Sequence, residues 1–130
     1  MRILLGVLAG AVLAGLCVYA VEMLGHSLFP LPAGLDPTDP ADQKTLMAVM
    51  PAAAKAMVLL GWFIGALLGA LAANRIARRA LAGWIVALLV VVAGVATMIM
   101  IPHPAWMWAG GILLPLAAGW LARRLAGVPD

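Results

Sequence analysis

Acid–base side chains stand at the end of the first apolar run of this sequence. Glu22, the only glutamate, and His26, one of the 2 histidines, lie four residues apart and therefore share one face of a helix. The other histidine, His103, is held between Pro102 and Pro104 much later in the chain. A carboxylate and two imidazoles could bind a proton, a small polar ligand or a metal ion such as zinc, and histidine would make such a site pH-sensitive.

The composition predicts that these groups are positioned by helices within a membrane. Of the 130 residues, 66% are hydrophobic and 10% are charged, whereas a soluble domain is roughly 45–50% apolar and about 25% charged. A single soluble core of this size could not enclose so much apolar surface. We therefore predict one all-α integral membrane domain over residues 1–130, without a disulfide framework because Cys17 is the only cysteine.

Four apolar segments predict a bundle of four transmembrane helices, at about residues 3–28, 40–74, 80–101 and 105–124. A bilayer is spanned by roughly 20 apolar residues. Asp39 is a good N-cap for the second helix, with Pro40 at its first position, and Pro51 should kink that helix. We expect the first segment to remain as a helix rather than to be removed as a signal peptide.

The arginines predict the orientation of the bundle. All of them fall at one end of the predicted helices, namely Arg2, Arg75, Arg78, Arg79, Arg123 and Arg124. Positive charge favours the cytoplasmic side, so both termini should be cytoplasmic and the loops at 30–43 and 102–104 should face outward. Basic residues grouped beside apolar runs indicate topology and give no support for nucleic-acid binding. The predicted location is the inner (cytoplasmic) membrane, with the lipid bilayer as the main partner.

Depth in the membrane brings Lys55 into the same layer as the acid–base groups. Counting about 20 residues from the cytoplasmic ends places Glu22, Lys55 and His103 near the outer interface, with His26 one turn further out. Glu22 and Lys55 could form an ion pair between the first two helices. Alternatively they are separate interfacial charges, and Lys55 extends toward water. We interpret Glu22, His26, Lys55 and His103 as a cluster that binds a ligand, a proton or an ion.

A metal ion is one possible ligand of this cluster. Glu22, His26 and His103 could supply three ligands to zinc, whereas histidines at helix ends more often make structural hydrogen bonds. Copper is a further possibility, because thioether and imidazole together suit Cu(I). Methionine is also a common core filler. Every methionine other than Met1 falls in the outer half: Met23, Met47, Met50, Met57, Met98, Met100 and Met107.

Two motifs resemble those of a group of uncharacterised small four-helix membrane proteins of bacteria. The first is Glu22-xxx-His26-xx-Phe29-Pro30-x-Pro32, and the second is Ile101-Pro102-His103-Pro104. The likeness covers most of the chain. It implies a bacterial source and four transmembrane helices, and it implies no activity.

A glycine stripe on the second predicted helix supplies an alternative function. Gly61, Gly65 and Gly69 recur at four-residue spacing, which lets another helix approach closely, either in the same chain or in an oligomer. The favoured function is ligand, proton or ion binding in a transport-related role, where transport would need an oligomer. The alternative is a structural or accessory subunit of a larger membrane complex. An enzyme is the least favoured class, since no nucleophile, phosphate-loop or paired-carboxylate motif is present.

Overall fold

The protein is entirely helical in a computed structural model that describes residues 1–130. Its five helices are α1 (Arg2–Leu28), α2 (Pro40–Val49), α3 (Ala52–Ala77), α4 (Ala80–Met100) and α5 (Ala105–Ala126). Four of them, all except α2, are long and apolar enough to cross a membrane. The all-helical class and the four long apolar helices are therefore confirmed.

The predicted second helix is in fact two helices, and this is a correction. Met50 and Pro51 both adopt extended backbone conformations, with ψ values of 131° and 152°, so the chain leaves the helix at Val49 and re-enters it at Ala52. Proline disfavours the helical conformation in the residue before it. Pro51 therefore breaks the segment instead of kinking it. The start of α2 is as predicted, because the Asp39 side chain accepts a hydrogen bond from the Ala41 amide.

The other three long helices all pack against α3. Helix α3 packs against α1, α4 and α5, and α4 packs against α1 and α5, but α1 and α5 do not touch. The cross-section is consequently a rhombus with α3 and α4 on its short diagonal. Helices α1 and α4 run in one direction and α3 and α5 in the other. One end carries all the arginines and is called the arginine end; the other carries His26 and His103 and is called the histidine end.

The seam between α1 and α3 is made by the glycine stripe. A Cβ added to Gly69 would lie 2.5 Å from the carbonyl oxygen of Gly10, and one added to Gly65 would lie 2.6 Å from Cγ2 of Val18. Gly61 lies against Val21 in the same seam. Small residues at four-residue spacing allow this backbone contact. The stripe is thus occupied by a helix of the same chain.

The arginine end is closed by polar contacts between segments. Asn74 is completely buried, and its Oδ1 accepts a 2.7 Å hydrogen bond from the amide of Gly83 near the start of α4. The Asn74 side-chain nitrogen has no hydrogen-bond partner in the protein. Arg123 forms an ion pair with Asp130 at 2.8 Å, which fastens the segment after α5. A pocket of about 450 Å³ at this end is lined by Trp120, Arg123, Arg124, Gly127 and Val128.

Candidate functional site

The ends of α1 and α4 position the acid–base side chains. Helix α1 continues through Glu22 and His26 and ends at Leu28. The amide of the following residue, Phe29, donates a hydrogen bond to the carbonyl of Gly25 at 2.8 Å. Helix α4 stops at Met100, because Pro102 favours an extended conformation in Ile101 before it. His103 follows directly in the short α4–α5 connection. Since α1 and α4 are neighbours running in the same direction, both ends meet at the histidine end.

Glu22, His26 and His103 line a single cavity of about 230 Å³, which we call the histidine chamber. Its walls also include Gly25, Phe29, Leu31, Met47, Met50, Ala54, Met57, Val58, Trp62, Thr97 and Ile101. Binding sites for small molecules are typically apolar pockets with a few convergent polar groups. The chamber has this character, with three acid–base side chains from two parts of the chain in an otherwise mainly apolar wall.

Helix α2 covers the chamber from the side of the loop. Met47 and Met50 project into its lining, while Leu46 is buried. Leu46 and Met50 also border a small pocket with the 29–32 segment. No Cα atom of α2 approaches within 8 Å of a Cα atom in another helix, so the cover is held by side chains.

Trp62 forms the floor of the chamber. Its indole lies between α4 and α5, since a Cβ added to Gly94 or Gly111 would lie 3.0 or 2.7 Å from the indole Cζ3. It is 5% exposed and packs in a core cluster with Leu59 and Met98. Glycines on both neighbouring helices make room for the ring. Trp62 was not among the site residues predicted from the sequence.

A four-residue spacing could have revealed this wall. Ala54, Val58 and Trp62 recur at intervals of four on α3, and all three line the chamber. Residues four apart share one face of a helix. They are apolar, however, and apolar residues at four-residue intervals are equally typical of a cavity wall and of a packed core.

His103 is fixed by its own backbone. Its Nδ1 is hydrogen-bonded to the carbonyl of Ile101, and because a carbonyl can only accept, Nδ1 carries the proton. In the neutral ring, Nε2 therefore keeps a lone pair. Glu22 and His26 make no hydrogen bond within the protein, and the only ion pair in the chain joins Arg123 and Asp130. The chamber thus offers acceptors that the protein itself does not use.

Lys55 does not belong to this cluster, which corrects the predicted Glu22–Lys55 pair. It forms no ion pair and does not line the chamber. Glu22 lines the chamber, whereas Lys55 has no acidic partner within ion-pair distance.

The predicted metal ligands share the chamber without forming a metal-binding group. No three His, Cys, Asp or Glu side chains lie close enough together to hold a metal ion. The zinc set of Glu22, His26 and His103 is therefore not assembled in this structure. The methionines do not converge on one site either. Met47, Met50 and Met57 line the chamber, Met98 and Met107 are buried in the core, and Met23 and Met100 are exposed.

The acidic loop beside the chamber is tied down by its own hydrogen bonds. The carboxylate of Asp36 accepts from the hydroxyl of Thr38 at 2.7 Å and from its amide at 2.9 Å. These bonds lower the pKa of Asp36 from its ordinary value, because they stabilise the ionised carboxylate. Asp42 in turn accepts from the amide of Asp36 at 2.9 Å. The aspartates therefore organise the loop and do not line the chamber.

No family model, curated protein or solved structure matches this chain. The function must consequently be inferred from the geometry of the histidine chamber.

Proposed function

We propose that this protein binds a small cationic ligand in the histidine chamber, in a transport-related role at the outer side of a bacterial inner membrane. The observation that carries the proposal is the convergence of Glu22, His26 and His103 on one cavity. Ionisable groups within membrane-spanning helices are costly, and they commonly mark a ligand or proton site. A cation suits this chamber because Glu22 and the Nε2 of His103 are acceptors.

The proposed orientation has both termini in the cytoplasm. It is supported by the location of every arginine at the arginine end and by the acidic loop beside the histidine end. Single cysteines introduced at Thr45 and at Arg78, in a Cys17→Ser background, test it. A membrane-impermeant maleimide applied to intact cells should label the cysteine at position 45 only. Selective labelling at position 78 would reverse the orientation.

Ligand binding can be followed through the two imidazoles. With isotope-labelled histidine, methylammonium added to the protein in lipid nanodiscs should shift the ring signals of His26 and His103 with one common dissociation constant. Glu22→Gln should weaken that binding about tenfold, because a hydrogen bond to a charged group is lost. Lys44→Gln is the control, since Lys44 is an exposed charge at the same end that does not line the chamber. Histidine ring signals that do not move when methylammonium is added would refute the proposal.

The accessory-subunit alternative has less support. It depended on Gly61, Gly65 and Gly69 being free to pack against another protein. Those glycines lie against Val21, Val18 and Gly10 of α1 in the same chain. A partner subunit would have to use some other surface.

A further inference from the structure

A second cavity opens sideways between α1 and α4, directly below the histidine chamber. This cavity, the α1–α4 groove, has a volume of about 290 Å³. It is lined mainly by small and apolar residues: Ala11, Ala14, Gly15, Val18, Glu22, Trp62, Val86, Leu89, Val90, Ala93, Gly94 and Thr97. Helix α1 packs tightly against α3 through the glycine seam but leaves this space beside α4. The groove therefore lies beside the contact between α1 and α4.

The groove and the chamber meet at common residues. Glu22, Trp62 and Thr97 line both cavities. Glu22 is the only charged residue in either lining, and no lysine or arginine lines either one. A mainly apolar groove thus meets the chamber that holds the acid–base side chains, with the Glu22 carboxylate at their junction. The two joined cavities match an amphiphile, whose chain would lie in the groove and whose headgroup would lie in the chamber.

The length of the groove corresponds to one lipid leaflet. On α1 it runs from Ala11 to Glu22, and on α4 from Val86 to Thr97, which is eleven residue-to-residue steps along each helix. At the helical rise this is roughly 16 Å, about half of the 30 Å hydrocarbon core of a bilayer. One alkyl chain of the leaflet at the histidine end could lie along it. Gly15 and Ala93 are themselves exposed, so the groove is accessible from the lipid side.

We propose that the ligand is a single-chain amphiphile with a protonated amine headgroup, bound with its chain in the α1–α4 groove and its amine beside Glu22. This inference rests on the proposed function of the chamber and names its ligand class. The lining favours a cation, because Glu22 supplies negative charge and Phe29 and Trp62 offer aromatic rings that attract cations. A phosphate headgroup would lack a lysine or arginine partner.

The charge of the histidine end favours the same headgroup. Its acidic residues outnumber its lysines: Glu22, Asp36, Asp39 and Asp42 against Lys44 and Lys55. A surface with net negative charge concentrates cations near it. An amphiphilic amine would be attracted to this end and then held by the insertion of its chain.

Gly15 provides a selective way to block the groove. It lines the groove, and nothing lies within 4 Å of a Cβ added to it. Gly15→Leu should therefore fill the groove without distorting the bundle. Ala20→Leu is the matched control for a new leucine, because Ala20 is exposed and lies on the opposite face of α1.

The probe is stearylamine carrying a spin label on its chain, added to the protein in phosphatidylcholine nanodiscs. Electron paramagnetic resonance distinguishes chains immobilised by protein from chains moving freely in lipid. We expect stearylamine to give an immobilised component. Spin-labelled stearic acid lacks the cationic headgroup, so its immobilised component should be about tenfold weaker. Gly15→Leu and Glu22→Gln should each reduce the component for stearylamine about tenfold, whereas Ala20→Leu should leave it unchanged.

The outcomes separate this inference from the proposed function. If methylammonium shifts the histidine signals but Gly15→Leu does not reduce stearylamine immobilisation, the chamber binds a cation and the chain-binding groove is refuted. Equal immobilisation of stearic acid and stearylamine would refute the amine headgroup. If methylammonium causes no shift and stearylamine is not immobilised, both proposals fail.

Discussion

The seam between α1 and α3 predicts opposite effects for the same substitution at two glycines. Gly69→Ala places a methyl group 2.5 Å from the carbonyl oxygen of Gly10 and 2.7 Å from the Cβ of Ala14. Ordinary contacts begin at about 3.4 Å, so α1 must retreat by about 0.9 Å at this point. The obstructing atoms belong to the backbone and to a short side chain, which cannot rotate away. Overpacking of this kind costs about 1–3 kcal/mol of unfolding free energy.

Gly15→Ala is the matched control on α1. Its new methyl group meets nothing within 4 Å, and alanine is a better helix former than glycine by about 0.5–1 kcal/mol. The two variants should therefore move the unfolding midpoint in opposite directions in a titration with sodium dodecyl sulfate followed by circular dichroism. A Gly69→Ala protein as stable as Gly15→Ala would refute the backbone contact on which the seam is built.

Three further predictions concern polar residues. Glu22→Gln and Lys55→Met should show a coupling energy below about 0.5 kcal/mol in a double-mutant cycle, because these residues are not paired; a larger value would restore the ion pair. Thr38→Val should raise the pKa of Asp36 toward its ordinary value in a carboxyl-carbon NMR titration. Because that pKa is lowered in the folded protein, its stabilising contribution is present above the ordinary carboxyl pKa and lost as pH falls through the folded value. Asn74→Ala should cost about 1–3 kcal/mol in the same detergent titration through the lost hydrogen bond, and an unchanged midpoint would contradict this.

Much of the helical framework could be predicted from the sequence because apolar runs and proline positions are local signals. Pro51 was recognised, yet whether a proline kinks or ends a helix depends on what the preceding turn packs against. Here Leu46 packs against the 29–32 segment, so α2 follows the loop and does not continue along α3. That contact is between distant parts of the fold and has no signature in the local sequence.

The candidate site was only partly predictable, for a geometric reason. Counting residues along a helix gives the depth of a side chain in the membrane but not the side of the bundle toward which it points. Glu22 and Lys55 were predicted at the same depth, yet only Glu22 lines the chamber. His103 does reach the chamber of Glu22, because α4 happens to be adjacent to α1. Which helices are adjacent is decided by packing among several small-residue faces, and the sequence does not rank those faces.

The central place of α3 has a consequence for biosynthesis. The ribosome releases α1 well before α3, although α3 is the helix that covers the small face of α1. Until then the glycines of α1 have no partner helix within the chain. Helices α4 and α5 can add to a pair that already exists. Assembly during translation should therefore begin only when α3 emerges, and a ribosome stalled earlier would hold an unpartnered helix.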